Sequence, residues 1–516
     1  MGQKIAIVGC GFSGLIWAAR ALKQGHDVRV FEKRSTIGGV WETIANSTSR
    51  VQMVEHDYRF ETEPDEAFEP PIHFTPRDAM LAQAQHFFKK HRLEGRVCFG
   101  TEVRSIRARE AGQGYVVTVR QDGQEREERF DAVAVLPGTL YKANTLTIEG
   151  EETFGGPVVQ GIGDDLPPQA YAGKRVVVVG MGSYAIENAR TALEQGAEHV
   201  TIVARSYNVV VPQFMSYQVT SHLNWKGDQI TNLLRDTYGL VGRPELIEKF
   251  QNGTTHAQQV IPPISDVYFI ALKYGRLEVV KDQLASMGPG SVRLQSGKEL
   301  EADVVVKCVG FDRHETHRRM KGILGDFELN GVFVNRSNTL AFNFEPRHGG
   351  FSVAEGIPLA SHLTITSLFA DIFLYYLDRP QKFEAIAPRL PSVRSAAEFS
   401  GGDHKALIRL LHGAEPEIKD IILYHLAAKT ERCQKRGSER DFVEENRREW
   451  ERYCQMLGRG QAPFPYPFEP QTKLRTRLMN RILFRYARYR YQRVFKEHRE
   501  ASSGAGEPVV RVRRAV

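Results

Sequence analysis

Cysteine is scarce in this chain. Five residues in 516, Cys10, Cys98, Cys308, Cys433 and Cys454, stand far apart with no C-x-x-C spacing. That scatter argues against a disulfide framework, a thiolate zinc site and a redox-active dithiol, and a reducing cytoplasm is the expected compartment. Long apolar runs are lacking too. The longest, Leu363 to Leu377, is shorter than the roughly 20 residues of a membrane span and is broken by Asp371, so it reads as a buried helix. The opening residues turn at once into a strand and a glycine loop, without the basic then apolar leader of a signal peptide. The 16 histidines are dispersed. No Ser-His-Asp set and no metal cluster is expected, and His73, His314 and His348 read as surface or structural residues.

Acidic residues are nearly missing from the tail. From Gln471 onward 13 Lys and Arg face 3 Asp and Glu, so the net charge of +7 belongs to the tail and the body before it is slightly negative. The stretch LRTRLMNRILFRYARYRYQRVFK places Leu474, Leu478, Ile482 and Tyr486 on one helical stripe and Arg477, Arg481, Arg485 and Arg488 on an adjacent one. Such a helix suits an anionic membrane surface or a nucleic acid. Packing against its own domain or a partner subunit is the blander reading. No nucleic-acid partner is expected, while peripheral membrane contact and homodimer contact both stay open.

Glycine, by contrast, is placed with purpose. In KIAIVGCGFSG, Gly9 permits a tight turn after an apolar strand, Gly11 lets backbone approach a pyrophosphate, and Gly14 lets the following helix pack on the strand. Glu32 closes the next strand 23 residues after Gly9, where a carboxylate accepts hydrogen bonds from a ribose diol. A second such unit begins at VVVVGMGSYA: Gly180 and Gly182 fill the first two roles and Ala185 is small enough for the third. The strand that follows ends in Arg205 rather than an acid, and a guanidinium there can pair with a 2′-phosphate. NADPH is therefore expected over NADH. The pattern SVRLQSGKELEADVVVKCVGF echoes YVVTVRQDGQEREERFDAVAVLPG, which predicts two related nucleotide-binding domains in an α/β chain. Two carriers in one chain have a chemical reason, because hydride must pass from nicotinamide to flavin across a domain interface.

After Glu32 comes EKRSTIGGVW, with Gly38, Gly39 and Trp41. Here the sequence resembles the flavin-containing monooxygenase family, including its Baeyer-Villiger relatives, over roughly residues 3 to 380. RVQMVEHDYRF is similar to the family's aromatic-rich segment through Arg50, Met53, Asp57, Tyr58 and Phe60. The resemblance implies FAD on Gly9, Gly11, Phe12, Ser13, Gly14, Glu32, Lys33, Gly39, Val40, Trp41, Val103 and Gly138. It implies NADPH on Gly180, Gly182, Ser183, Tyr184, Ala185 and Arg205, with Gly310 near the cofactors. Asn46 stands one position from the family's flavin-side asparagine. In the family fingerprint F-x-G-x-x-x-H, Phe154 and Gly156 are kept, Gln160 replaces the histidine, and Asp164 replaces an aromatic residue. Gln160 can donate and accept a hydrogen bond but carries no charge. Asn46 and Gln160 are the catalytic candidates, and no metal is implied. Tyr184 replaces the family's serine, and its phenol either reshapes the NADPH pocket or turns aside into the core.

The fold expected is two Rossmann-like domains, an FAD domain with an inserted NADPH domain, plus a helical C-terminal region. Its parts are residues 1–165 (FAD), 166–330 (NADPH), 331–380 (FAD, return segment), 381–500 (helical) and 501–516 (disordered). Phe154 to Gly173 reads as a linker. RHGGFSVAEGIPLAS, with Gly356 and Pro358, marks a helix start that either faces the flavin or is ordinarily capped. The activity implied is NADPH- and O2-dependent oxygenation of a small organic molecule through a C4a-hydroperoxyflavin: N- or S-oxygenation, hydroxylation, or insertion beside a carbonyl. An NADPH oxidase or reductase without productive oxygenation, and a cofactor-binding membrane-associated protein, are the alternatives.

Overall fold

The structure, a computed structural model, describes residues 2–52, 58–63, 74–109, 114–136, 138, 142–215, 227–247, 263–324, 339–341, 362–386, 415–435, 439–467 and 474–502. Met53, Asp57, His73, His348 and the Arg347 to Ser361 segment lie outside them.

The chain opens with β1 (Lys4–Val8), α1 (Phe12–Lys23) and β2 (Asp27–Phe31), followed by α2 (Val40–Thr43), α3 (Arg77–Lys90) and β3 (Val97–Cys98). An antiparallel meander of β4 (Thr101–Ala108), β5 (Tyr115–Gln121) and β6 (Gln124–Phe130) leads into β7 (Ala132–Val135). After β8 (Val158–Val159), the second unit repeats the plan. It runs β9 (Arg175–Val179), α4 (Ser183–Glu194), β10 (His199–Ala204), α5 (Gly227–Leu240), α6 (Asp266–Lys273) and β11 (Leu277–Lys281). A second antiparallel meander, β12 (Leu284–Gly288), β13 (Ser291–Leu294) and β14 (Glu299–Glu301), leads into β15 (Val304–Lys307). Then come α7 (Arg313–Leu324), β16 (Thr339–Ala341), α8 (His362–Leu377), α9 (Pro380–Ile386), α10 (Pro416–Lys435), α11 (Glu439–Gly458) and α12 (Leu474–Ser502).

Two parallel sheets result, ordered β16-β7-β1-β2-β3 and β11-β10-β9-β15-β8. Strands β1, β7, β9 and β15 are nearly continuous apolar runs because both faces are covered. In the first sheet Ile5, Ile7, Val28, Val30, Ala132 and Ala134 join the core shared with α1 and α8. Their neighbours Ala6, Val8, Phe31, Val133 and Val135 pack with Val103, Val117 and Val119 of the meander. The second sheet divides the same way: Val176, Val178, Val200 and Ile202 face α4 and α6, and Val177, Val179, Val203 and Val305 face its own meander. Side chains alternating across a strand produce this two-sided burial. The echo between the two halves is thus one plan, meander then parallel strand, used twice.

Two expectations need correction. The Phe154 to Gly173 segment is more than a linker, since Val158–Val159 pairs with β15 as the edge strand of the second sheet. On α12 the packed face is Phe484, Ala487, Tyr491, Val494 and Phe495, whereas Ile482 and Tyr486 of the expected apolar stripe are 55% and 53% exposed.

The C-terminal helices close over both sheets. Helix α8 packs on α1, α10 on α8, α12 on α10, and α11 on α6 of the second unit. A buried polar cluster pins the first stack. Asp371 accepts from Arg20 at 2.5 Å and Tyr491 at 2.9 Å, and His425 Nε2 lies 2.8 Å away.

Candidate active site

At two positions of the first glycine loop, Gly9 and Gly14, nothing but glycine fits. Gly9 has φ 100°, and its amide donates to the Phe31 carbonyl at 2.8 Å, tying the loop to the end of β2. A Cβ on Gly14 would lie 2.0 Å from the Gly9 carbonyl oxygen. Gly11 is the residue before α1, which has neither a side-chain cap nor an acidic residue in its first turn. Its amide donors are thus left for an anion. Gly39, at φ 59°, comes in from the next loop, where a Cβ would stand 3.1 Å from the Gly11 Cα.

Aromatic packing holds the two loops together. Phe12 stacks on Trp41 with ring centres 6.0 Å apart and meets Phe60 edge-on at 4.7 Å, while Arg77 donates to the Trp41 carbonyl at 2.9 Å. Val40 opens the short helix α2 behind Gly39, and Ser13 sits in the first turn of α1. Glu32 is 8% exposed; its carboxylate accepts from the Cys10 amide at 2.8 Å and the Arg34 amide at 2.9 Å. Burial first, and then Glu32, pushes the Cys10 thiol well above the usual range, so it is no nucleophile. Burial, then Arg319 and Arg34, lowers the Lys33 pKa at the same strand end.

The second loop repeats the geometry. Gly180 has φ 114°, its amide donates to the Val203 carbonyl at 2.8 Å, and a Cβ there would meet the Cys308 carbonyl oxygen at 2.4 Å. Gly182 precedes α4, which again has no side-chain cap and no acid in its first turn, and Ala185 is fully buried against the sheet. Gln52 of the first unit donates to the Ser183 carbonyl at 3.1 Å. Arg205 stands exposed at the end of β10 with no ion-pair partner among the described residues.

Tyr184 stands in the first turn of α4. Its ring turns toward Phe311, with centres 6.0 Å apart, and its hydroxyl donates to the Gly161 carbonyl. Asp165 accepts from the amides of Gln160 and Gly161 at 2.8 and 2.9 Å, so the segment around Gln160 is folded onto the start of α4. Gly163 donates to the Ile44 carbonyl at 2.8 Å, and Ser47 bonds Asp164 through its amide at 2.9 Å and its hydroxyl at 2.8 Å. The Asn46 side-chain oxygen accepts from Thr48 and Ser49, holding this loop in a tight turn. Asn46 and Gln160 therefore belong to facing segments of one domain interface.

Three sequence-flagged residues occupy different settings. Val103 lies in the core between β4 and β5, 6% exposed. Gly138 is exposed at φ 77°. Gly310, at φ 82°, accepts from the Asn144 amide at 2.9 Å, so the chain after β15 runs beside the chain after β7.

No local motif announces the ion network at this interface. Arg190 of α4 is 4% exposed and bonds Glu187, Glu194 and the Thr48 carbonyl. Burial would lower its pKa, but Glu187 and Glu194 raise it. Arg50 bonds Glu449 at 3.1 Å and Tyr453 at 3.2 Å, and Tyr453 donates to Glu194. First unit, second unit and α11 thus share one set of charges.

Residues 2–222 match the family model for flavin-binding monooxygenase-like proteins. Among curated relatives, a decarboxylating 4-hydroxybenzoate brominase of Marinomonas mediterranea is 25% identical over 263 residues, 49% of each chain. Flavin-containing monooxygenase 3 of Pan troglodytes is 31% identical over 226 residues, 40% of this chain and 41% of the relative. The chain spans about half the length of these relatives. A solved steroid monooxygenase bound to NADP shares the fold with TM-score 0.54 and 20% identity, covering 75% of this chain and 86% of that one. The glycine cradles, the G-G-x-W loop and this fold agree with that match: over residues 2–222 the chain is similar to the flavin-binding monooxygenase-like family.

Proposed function

We propose that the protein is an FAD-dependent, NADPH- and O2-using monooxygenase acting on a small organic substrate. The observation that carries the reading is the pair of glycine cradles, each ending at an uncapped helix, bridged by the Ile44 to Ser49 and Gln160 to Asp165 segments. Bound FAD and NADPH would supply the redox and oxygen-transfer chemistry.

The residues present fit both dinucleotides. Gly9, Gly11 and Gly39 leave backbone open to the FAD pyrophosphate, Phe12, Ser13 and Gly14 start the helix behind it, and Glu32 with Lys33 meets the adenosine ribose. Val40 and Trp41 border the flavin side, with Val103 and Gly138 contributing from farther along the first unit. Gly180, Gly182, Ser183, Tyr184 and Ala185 seat the NADPH pyrophosphate, Arg205 takes the 2′-phosphate, and Gly310 lines the approach. Asn46 and Gln160, on facing loops, would border the cofactor site as neutral groups that exclude water rather than move a proton. The protein is cytoplasmic, and its basic helix α12 offers a contact surface.

A second reading, an NADPH oxidase or reductase, is favoured by the uncharged Gln160. Purified protein carrying FAD is expected to bleach with NADPH in the absence of air and, on aeration with substrate candidates, to place an oxygen atom from labelled O2 in a product. Peroxide released in equal amount to NADPH consumed, with no labelled product, selects the second reading. Failure to bind FAD overturns both.

A further inference from the structure

Helix α12 has two apolar faces, and the fold uses one. Phe484, Ala487, Tyr491, Val494 and Phe495 are buried in the core beside α10. Arg490 bonds Asp420 and Arg488 bonds Glu63, so two of its arginines staple the helix to the body. On the opposite side Ile482, Tyr486 and Tyr489 follow i, i+4, i+7 spacing and are 55%, 53% and 59% exposed. Leu483 is exposed beside them, and Arg481 and Arg485 project along the same side. No acidic residue occurs between Gln471 and Lys496. Three large apolar side chains in a row on solvent, edged by cations, are not explained by packing among the described residues.

We propose that this outer face of α12 is a docking surface for an anionic lipid bilayer. The helix lies in the plane of the interface, its axis held parallel to the body by α10. Ile482, Tyr486 and Tyr489 enter the headgroup boundary, while Arg481 and Arg485 meet acidic headgroups. No helix of the described residues is long and apolar enough to cross a membrane, so the attachment is peripheral. The apolar row favours lipid over nucleic acid, whose phosphates would engage the arginines without needing Ile482. A second copy of the chain would carry the same cations to its two-fold contact and repel itself.

The test is co-sedimentation of the full-length, FAD-loaded chain with vesicles of phosphatidylcholine alone or mixed with phosphatidylglycerol. Binding is expected to the mixed vesicles only, to weaken with added salt, and to fall at least about tenfold in Arg481→Glu/Arg485→Glu. The separate variant Ile482→Ser/Tyr486→Ser, altered only at exposed positions, is expected to lose binding with unchanged flavin content and circular dichroism. Three results overturn the proposal: no binding to the mixed vesicles, binding indifferent to Ile482→Ser/Tyr486→Ser, or a dimer in solution that this variant dissociates. Tight oligonucleotide binding that survives Ile482→Ser/Tyr486→Ser while vesicle binding is absent assigns the face to nucleic acid and also overturns it. None of these readouts depends on oxygenation, so the outcome is independent of the proposed reaction.

Discussion

Gly11 and Gly39 face each other so closely that a Cβ on Gly39 would stand 3.1 Å from the Gly11 Cα. Gly39 also sits at φ 59° and ψ −125°, a sparsely populated conformation that costs an L side chain about 1–3 kcal/mol. Gly39→Ala is therefore expected to push the two loops apart and lower FAD content. The ratio of flavin to protein absorbance checks this, and NADP+ affinity, measured by calorimetry, should stay within error of the parent.

Arg205 bears on the other cofactor. Arg205→Ala is expected to reduce kcat/KM for NADPH about tenfold, the scale of one charged hydrogen bond, and to leave that for NADH unchanged. Equal losses with both coenzymes would remove Arg205 from 2′-phosphate recognition.

The ion network joining three parts of the chain predicts a stability effect. Arg190→Met leaves Glu187 and Glu194, 15% and 13% exposed, without their main counter-charge. Breaking such a pair costs about 3–5 kcal/mol. Urea unfolding should show the loss, and Tyr453→Phe, which removes one hydroxyl and no charge, should cost about 1 kcal/mol by the same measurement.

Two buried groups give opposite pH dependences. Burial, chiefly, pushes Asp266 up to about 7 from 3.8; its Oδ1 accepts from the Gln213 amide at 2.7 Å, and its other oxygen has no hydrogen bond. The folded state holds this proton more tightly than the unfolded chain, so the contribution is complete below pH 3.8 and is lost as pH rises to about 7. Asp266→Asn should abolish that slope, worth on the order of 4 kcal/mol, in urea midpoints measured across the range.

His425 runs the other way. Burial outweighs its bond to Asp371 and lowers it from 6.5 to about 4, so the unfolded chain binds the proton first and stability falls as pH drops between those values. His425→Gln should flatten that acid limb of the same urea series, worth on the order of 3 kcal/mol. An acid limb unchanged in His425→Gln would place the sensitivity elsewhere.

Local pattern made the two glycine units legible, because strand, turn, helix and strand follow one another within about thirty residues. The repeated meander was legible for the same reason. What lay beyond reach were contacts between distant segments: Arg20 with Asp371 spans 351 positions and Arg50 with Tyr453 spans 403. Periodicity also could not choose between two apolar faces of α12, since Ile482 with Tyr486 and Phe484 with Tyr491 fit a helix equally well. Tyr184 was noticed as unusual, but its bond to Gly161 depended on how the intervening segment folds back.

The order of strands also sets an order of assembly. The first sheet needs β16, at residues 339–341, to complete its edge beyond β7, and α1 finds its cover only when α8 and then Tyr491 arrive. The second sheet is finished once β15 is made. On the ribosome, the unit begun first therefore closes last, because Asp371, the partner of Arg20, follows it by 351 positions.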